Sequence, residues 1–240
     1  MQTAQNRLSG GLLTILGVLA FGTGVYFLGI RPTLLPEDIR FSGIDEAILP
    51  QAFLDWLGIV FRTWGGFITG FGIAGNEAMG HPRDFTYAFD MAREAGLRLT
   101  AHAGEWGGPE SVRAALADLG AERIGHGVRA IEDLALVEEL AERGTVLEVC
   151  PGSNIALGLY PHWRAHPIAE LHRRGVRVTV STDDPPFFNT TMEREYARLA
   201  EAFDWDEGVF REIAATALDA AFCDGDTRAR IAKRLETDHA

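Results

Sequence analysis

Hydrophobic patterning divides the chain into two unlike parts. From Leu8 to Ile30 there are 23 residues without a charge, and about 20 apolar residues suffice for a helix to cross a bilayer. Arg7 precedes the run and Arg31-Pro32 ends it. Tyr26 and Phe27 stand near one end, where interface aromatics are common. This predicts a membrane span over 8–30. A buried helix of a soluble protein would carry a polar stripe within six turns, and a signal peptide would have a shorter apolar core and an Ala-x-Ala-like site. Residues 31–50 are polar, contain three prolines and read as a loop. A second apolar stretch over 56–75 is interrupted by Arg62 and several glycines. It reads either as a second span, with a costly charge in its middle, or as a lead-in to a short buried strand at Phe67–Ala74.

From about residue 67 the period changes, and short apolar runs alternate with amphipathic ones. Strands are predicted over Phe67–Ala74, Leu97–Ala101, Glu122–Gly125, Thr145–Cys150 and Val176–Ser181. Helices are predicted over Pro82–Ala95, Pro109–Leu119, Ile131–Arg143, Pro167–Arg174, Met192–Phe203 and Val209–Phe222. Strands that each lead into a helix argue for a parallel sheet in an α/β fold. The polar residues of interest follow strand ends: Gly75-Asn76-Glu77, His102, His126, Ser153-Asn154 and Asp183. Both (β/α)8 barrels and doubly wound sheets bind ligands at that end, so placement does not separate the two.

Charge and cysteines narrow the function. The net charge is -12, of which residues 1–75 contribute -1. An acidic second part with no basic stripe argues against nucleic-acid binding. Cys150 and Cys223 fit no CxxC pattern, which suggests a reducing compartment and no disulfide framework. All seven histidines lie past residue 80.

Three constellations carry chemistry. His102 and Glu105 sit at a strand end, where the imidazole can bind a metal and the carboxyl can move a proton; a surface loop is the plainer alternative. His126, between Gly125 and Gly127, can orient a water or be a satisfied structural histidine. Asp183-Asp184 is a carboxylate pair that needs a cation or donors, unless it caps a helix. His162 and His166 are read as solvent-facing, and His81 as a helix-start residue.

Five motifs, Gly72-Ile-Ala-Gly-Asn-Glu77, Thr100-Ala-His-Ala-Gly-Glu105, Arg123-Ile-Gly-His-Gly127, Glu148-Val-Cys-Pro-Gly-Ser-Asn154 and Ser181-Thr-Asp-Asp-Pro-Pro186, resemble the adenosine deaminase family in order and spacing. The resemblance covers about residues 71–240. It implies a partial (β/α)8 barrel with about five of the eight units. Residues 1–70 do not share the resemblance; they are similar to the start of a small, unrelated bacterial integral membrane protein, so one or two transmembrane helices are expected before the barrel. The implied division is a membrane segment over 1–66 and a truncated deaminase-like barrel over 67–240. The implied activity is zinc-dependent hydrolytic deamination of adenosine to inosine. His102 and Asp183 correspond to zinc ligands, Glu105 to the acid that protonates purine N1, and His126 to the group that orients the attacking hydroxide. Gly75 and Asp184 correspond to purine contacts. The family's first strand carries a His-x-His pair that supplies two more zinc ligands, and no His-x-His occurs in this chain. The implied partners are therefore a purine nucleoside, a lipid bilayer and a chain able to supply missing barrel strands. The other reading is an inactive membrane-anchored chimera or remnant. The expected location is the bacterial inner membrane, with the deaminase part on the cytoplasmic side.

Overall fold

Five short runs of small and β-branched apolar residues form five strands of one sheet: β1 (Gly70–Ile73), β2 (Arg98–Ala103), β3 (Arg123–His126), β4 (Val146–Val149) and β5 (Arg177–Val180). All neighbours are parallel, and their order in the sheet is their order in the chain. A doubly wound sheet reverses strand order at a switch point; this one does not. The topology is that of an arc of a (β/α)8-type barrel. The computed structural model describes residues 68–78 and 80–237, all within one compact unit.

The expected span over 8–30 and the segment 56–67 lie outside the described residues. Of the two readings of 56–75, the described part bears out the strand and not a second span: Gly70–Ile73 is a strand, with Phe71 paired to Leu99 and Ile73 to Ala101. Two glycines in four residues, beside Phe and Ile, suit a strand approached closely on one face better than a helix. Among the described residues, no helix is long and apolar enough to cross a membrane.

Between the strands run α1 (Thr86–Glu94), α2 (Pro109–Asp118), α3 (Leu134–Arg143), α4 (Pro151–Ala156) and α5 (Ile168–Arg173). After β5 come α6 (Pro185–Phe188), α7 (Met192–Phe203), α8 (Glu207–Ala220) and α9 (Gly225–Thr237). The start of α3 differs from the expected Ile131 because the Asp133 carboxylate accepts from Ala135 and Leu136 N–H at 3.0 and 3.3 Å, capping the helix there. The preceding residues, Val128–Glu132, form a 3-10 turn. His81 does open its helix: its Nδ1 accepts from Arg83 N–H at 3.2 Å.

The sheet has two chemically distinct faces, because side chains alternate along a strand. Leu99, Ala101, Ile124, Leu147, Val149 and Val178 point to the helices and form the core with Val112, Leu116, Val137, Leu140 and Leu171. The opposite face is polar. There Thr100 Oγ1 donates to Glu148 Oε2 at 2.8 Å, and Arg123 Nε stands 3.2 Å from Glu148 Oε1. Phe222, just past α8, lies under the Arg123 guanidinium at 3.5 Å and donates apolar cover at that end.

His166 corrects another expectation. It is buried, 3% exposed, not solvent-facing. Its Nδ1 accepts from Ile168 N–H at 3.2 Å, so the proton is on Nε2, which faces Asn154 Oδ1 at 3.1 Å. Burial pushes its pKa down to about 3. The folded protein therefore needs this imidazole neutral, while the unfolded chain protonates it below about 6.5. Its contribution is fully present above pH 6.5 and is lost as pH falls from there toward 3, at up to about 1.4 kcal/mol per pH unit.

Two stability outcomes follow. Between pH 6.5 and 5, wild type should lose up to about 2 kcal/mol more urea stability than His166→Gln; equal losses would refute the neutral-imidazole account. Leu147→Ala, which empties a fully buried core position, should cost about 2–5 kcal/mol at neutral pH.

Candidate active site

The ends of the strands deliver the candidate residues to one place. His102 is the fifth residue of β2 and pairs in register with Gly125 on β3. A Cβ at Gly125 would lie 2.5 Å from His102 Cδ2, so the glycine makes room for the imidazole. The His102 and His126 rings then meet edge to face, with centroids 4.9 Å apart.

His126 and Asp183 share an unusual backbone. Both have left-handed conformations, at φ 62° and 59°. Such backbone is rare for residues with a Cβ and clusters at functional sites. At His126 the turn, continued by Gly127, places Nε2 3.6 Å from Glu105 Oε2 and 4.0 Å from Asp183 Oδ2. His126 is almost wholly buried, and among the described residues its Nδ1 has no hydrogen-bond partner.

Two further carboxylates hold the loops. Glu77, just after β1, accepts from the backbone N–H groups of Gly104, Glu105 and Trp106 at 2.8–2.9 Å and from Ser111 Oγ at 2.7 Å. Glu195, on α7 and fully buried, accepts from Gly152 N–H at 2.9 Å and from Thr190 Oγ1 at 2.6 Å. Next to Gly152, the buried Ser153 hydroxyl donates to Asp183 Oδ2 at 2.7 Å. That bond orients the Asp183 carboxylate and leaves its other oxygen for a cation.

Burial sets the protonation states apart. Desolvation, then the charges of Asp183 and Glu77, raise Glu105 to about 7. Desolvation, then neighbouring His102, lower His126 to about 4. At neutral pH His126 is thus neutral, and a substantial share of Glu105 carries its proton; their 3.6 Å approach is not an ion pair. Divergent pKa values in one cleft are the mark of assigned acid and base roles. Cys150 also lies close: donor atoms of His126, Cys150 and Asp183 fall within 4.8 Å of one another. Burial raises the Cys150 thiol far above its ordinary value, so with no metal beside it the thiol stays protonated and a poor nucleophile.

The structure therefore gathers His102, Glu105, His126 and Asp183. Gly75, at φ 135°, and Asp184, the exposed residue that opens α6, stand at the ends of β1 and β5 beside them in sequence. No described hydrogen bond ties either to the cluster. The residues that sequence reasoning left without a role are Glu77, Ser153 and Glu195. Glu77 and Ser153 follow strand ends, which was a usable signal. Glu195 gives none, because an acidic residue in the first turn of an amphipathic helix ordinarily faces water. The donor types suit a borderline cation: an imidazole from His102 and a carboxylate from Asp183 are zinc ligands in kind, and His126 and Cys150 place further donor atoms beside Asp183.

A profile of the family described as "Adenosine deaminase" matches residues 57–238. An adenine deaminase of Rhizobium etli is 56% identical over 225 residues, covering 90% of this chain and 70% of that protein. One from Chelativorans sp. is 55% identical over 169 residues, covering 70% and 52%. The chain thus spans about half the length of several curated relatives it matches. Among solved structures, an adenine deaminase from Arthrobacter aurescens superposes with TM-score 0.70 at 30% identity, over 76% of this chain and 57% of that one. An amidohydrolase from Burkholderia ambifaria, solved with bound zinc, gives TM-score 0.68 at 27% identity, over 77% and 53%. These matches give no support to an unrelated membrane part, since the family match begins at 57 and the Rhizobium etli match reaches well into residues 1–67. The chain belongs to the adenosine deaminase family.

Proposed function

We propose that this chain carries the active site of a zinc-dependent aminohydrolase that converts adenine and water to hypoxanthine and ammonia. The observation that carries the reading is the placement of Glu105, raised to about 7, within 3.6 Å of a neutral His126, at the strand ends that also present His102 and Asp183. The preference for the free base over adenosine, the substrate expected from the motifs, rests on the relatives named adenine deaminase at 55–56% identity. It rests also on the Arthrobacter aurescens structure of that name.

His102 and Asp183 would hold the zinc, with Ser153 orienting the Asp183 carboxylate. When bound, zinc lowers the pKa of water and so supplies a nucleophile at neutral pH. Catalytic zinc takes three protein ligands and an open position, and residues 1–67 hold no histidine. The remaining position in this reading falls to a second chain that supplies the missing barrel strands. The protein's own groups do the rest. Glu105, as the neutral acid, donates its proton to ring nitrogen N1 and makes C6 more electrophilic. His126, kept neutral by burial, accepts a hydrogen bond from the attacking water and orients it toward C6. The Gly75 backbone and Asp184 hold the purine edge. The attacking water loses one proton through His126 to Glu105, which restores the acid, and its second proton passes to the amino group, which leaves as ammonia as the C6–N bond breaks.

The full chain, purified with zinc, should deaminate adenine in an ultraviolet absorbance assay at least tenfold faster than adenosine. Glu105→Gln should lower kcat about 10²–10⁴-fold without moving the melting temperature by more than a few degrees. Faster turnover of adenosine would overturn the substrate assignment. Wild-type activity in Glu105→Gln would overturn the acid.

A further inference from the structure

We propose that Glu77 is a positioning residue: its carboxylate fills a nest of three successive backbone N–H groups and thereby fixes where the Glu105 carboxyl group stands. The proposal rests on the reading of Glu105 as the proton donor. Glu77 Oε1 accepts from Glu105 and Trp106 N–H, both at 2.9 Å, and Oε2 accepts from Gly104 N–H at 2.8 Å and Ser111 Oγ at 2.7 Å. Successive amides converging on one point form an anion site. Here the chain fills it with its own carboxylate, reaching across from the end of β1 to the loop after β2.

The surroundings show how closely the loop wraps that group. A Cβ at Gly107 would collide with Glu77 Oε2 and lie 2.7 Å from Ser111 Cβ. A Cβ at Gly104 would lie 2.5 Å from Val112 Cγ2 and 3.2 Å from Gly127 Cα. The loop is thus pinned between α2, the turn after β3 and the Glu77 carboxylate. Gly104 also has φ 70°, which lets the chain turn sharply from strand into nest. The middle amide of the nest belongs to Glu105 itself, so the backbone of the proton donor is held directly. Burial works to raise the pKa of Glu77, but Ser111 and the three amides together hold it below the usual carboxylate range. The group therefore stays an anion, which is the form that accepts all four bonds.

A glutamine at this position keeps the shape and loses half the function, since its amide nitrogen cannot accept from Gly104 N–H or Ser111 Oγ. In Glu77→Gln, kcat for adenine should fall about 10–100-fold while KM stays within about threefold, the pattern of a misplaced catalytic group. Hydrogen exchange at the Gly104, Glu105 and Trp106 amides should quicken in the same variant, with core amides such as Ile124 and Leu147 unchanged. In Glu77→Ala, added formate should restore part of kcat by refilling the nest, and chloride should not. Should the Glu77 variants fail to fold, Ser111→Ala removes one of the four donors and should show the same two effects at smaller size. Unchanged kcat, or unchanged protection at 104–106, overturns the proposal. A wild-type chain that does not deaminate adenine defeats the functional reading instead, and amide exchange then decides the role of Glu77 by itself.

Discussion

Two acidic side chains, Glu77 and Glu195, satisfy backbone amides that would otherwise be stranded under the site, and the geometry of the rest depends on them. Loops that leave a parallel sheet carry N–H groups with no ladder partner, and a buried donor left unpaired costs about 1–3 kcal/mol. Glu77 takes up three such donors after β2, and Glu195 takes up Gly152 N–H after β4. Each carboxylate comes from a different element than the loop it holds. The loop after β2 is thus held from β1, and the first turn of α4 from α7.

On that support the sheet presents its chemistry. Side-chain alternation sends Leu99, Ala101 and Ile124 into the helical layer and leaves Thr100, His102 and Gly125 on the other face. The left-handed turns at His126 and Asp183 then bring an imidazole and a carboxylate to within 4.0 Å of each other. Unsupported, each such turn costs of order 1–3 kcal/mol, and the surroundings supply that support through Gly127 N–H bonded to Ala103 and Ser153 bonded to Asp183. The resulting enclosure raises Glu105 and lowers His126 chiefly through loss of water, which disfavours the charged form of both, with neighbouring charges adding to each shift.

Much of this was legible in the sequence because the signals were local. The strands at 98–103, 123–126, 146–149 and 177–180 each lie within two residues of where apolar runs place them, and α7 spans Met192–Phe203 as its period predicts. His102, Glu105, His126 and Asp183 stand at or just after strand ends, where a parallel sheet presents its chemistry. What failed to show was non-local. The burial of His166 is set by Asn154 and Ile168, which no periodicity reports. The short α4 and α6 are too brief to show a helical period, although both begin at prolines, which suit the first helical position. Glu195 looks like a solvated helix residue until Gly152 is packed against it. The apolar stretch at 56–75 admits both a membrane helix and a strand, and its last part is the strand that opens the sheet, where glycine faces Phe222 and Thr100 across a narrow gap.

The central claim is that His102 and Asp183, delivered by β2 and β5, hold a zinc ion beside Glu105 and His126. Its most direct test is the metal content of the full chain after dialysis, measured by plasma emission for wild type, His102→Ala and Asp183→Ala. The account predicts one zinc per chain in wild type and a large loss in each variant, with the melting temperatures showing that the variants still fold. Wild type that retains no zinc, or variants that retain it fully, would contradict the account.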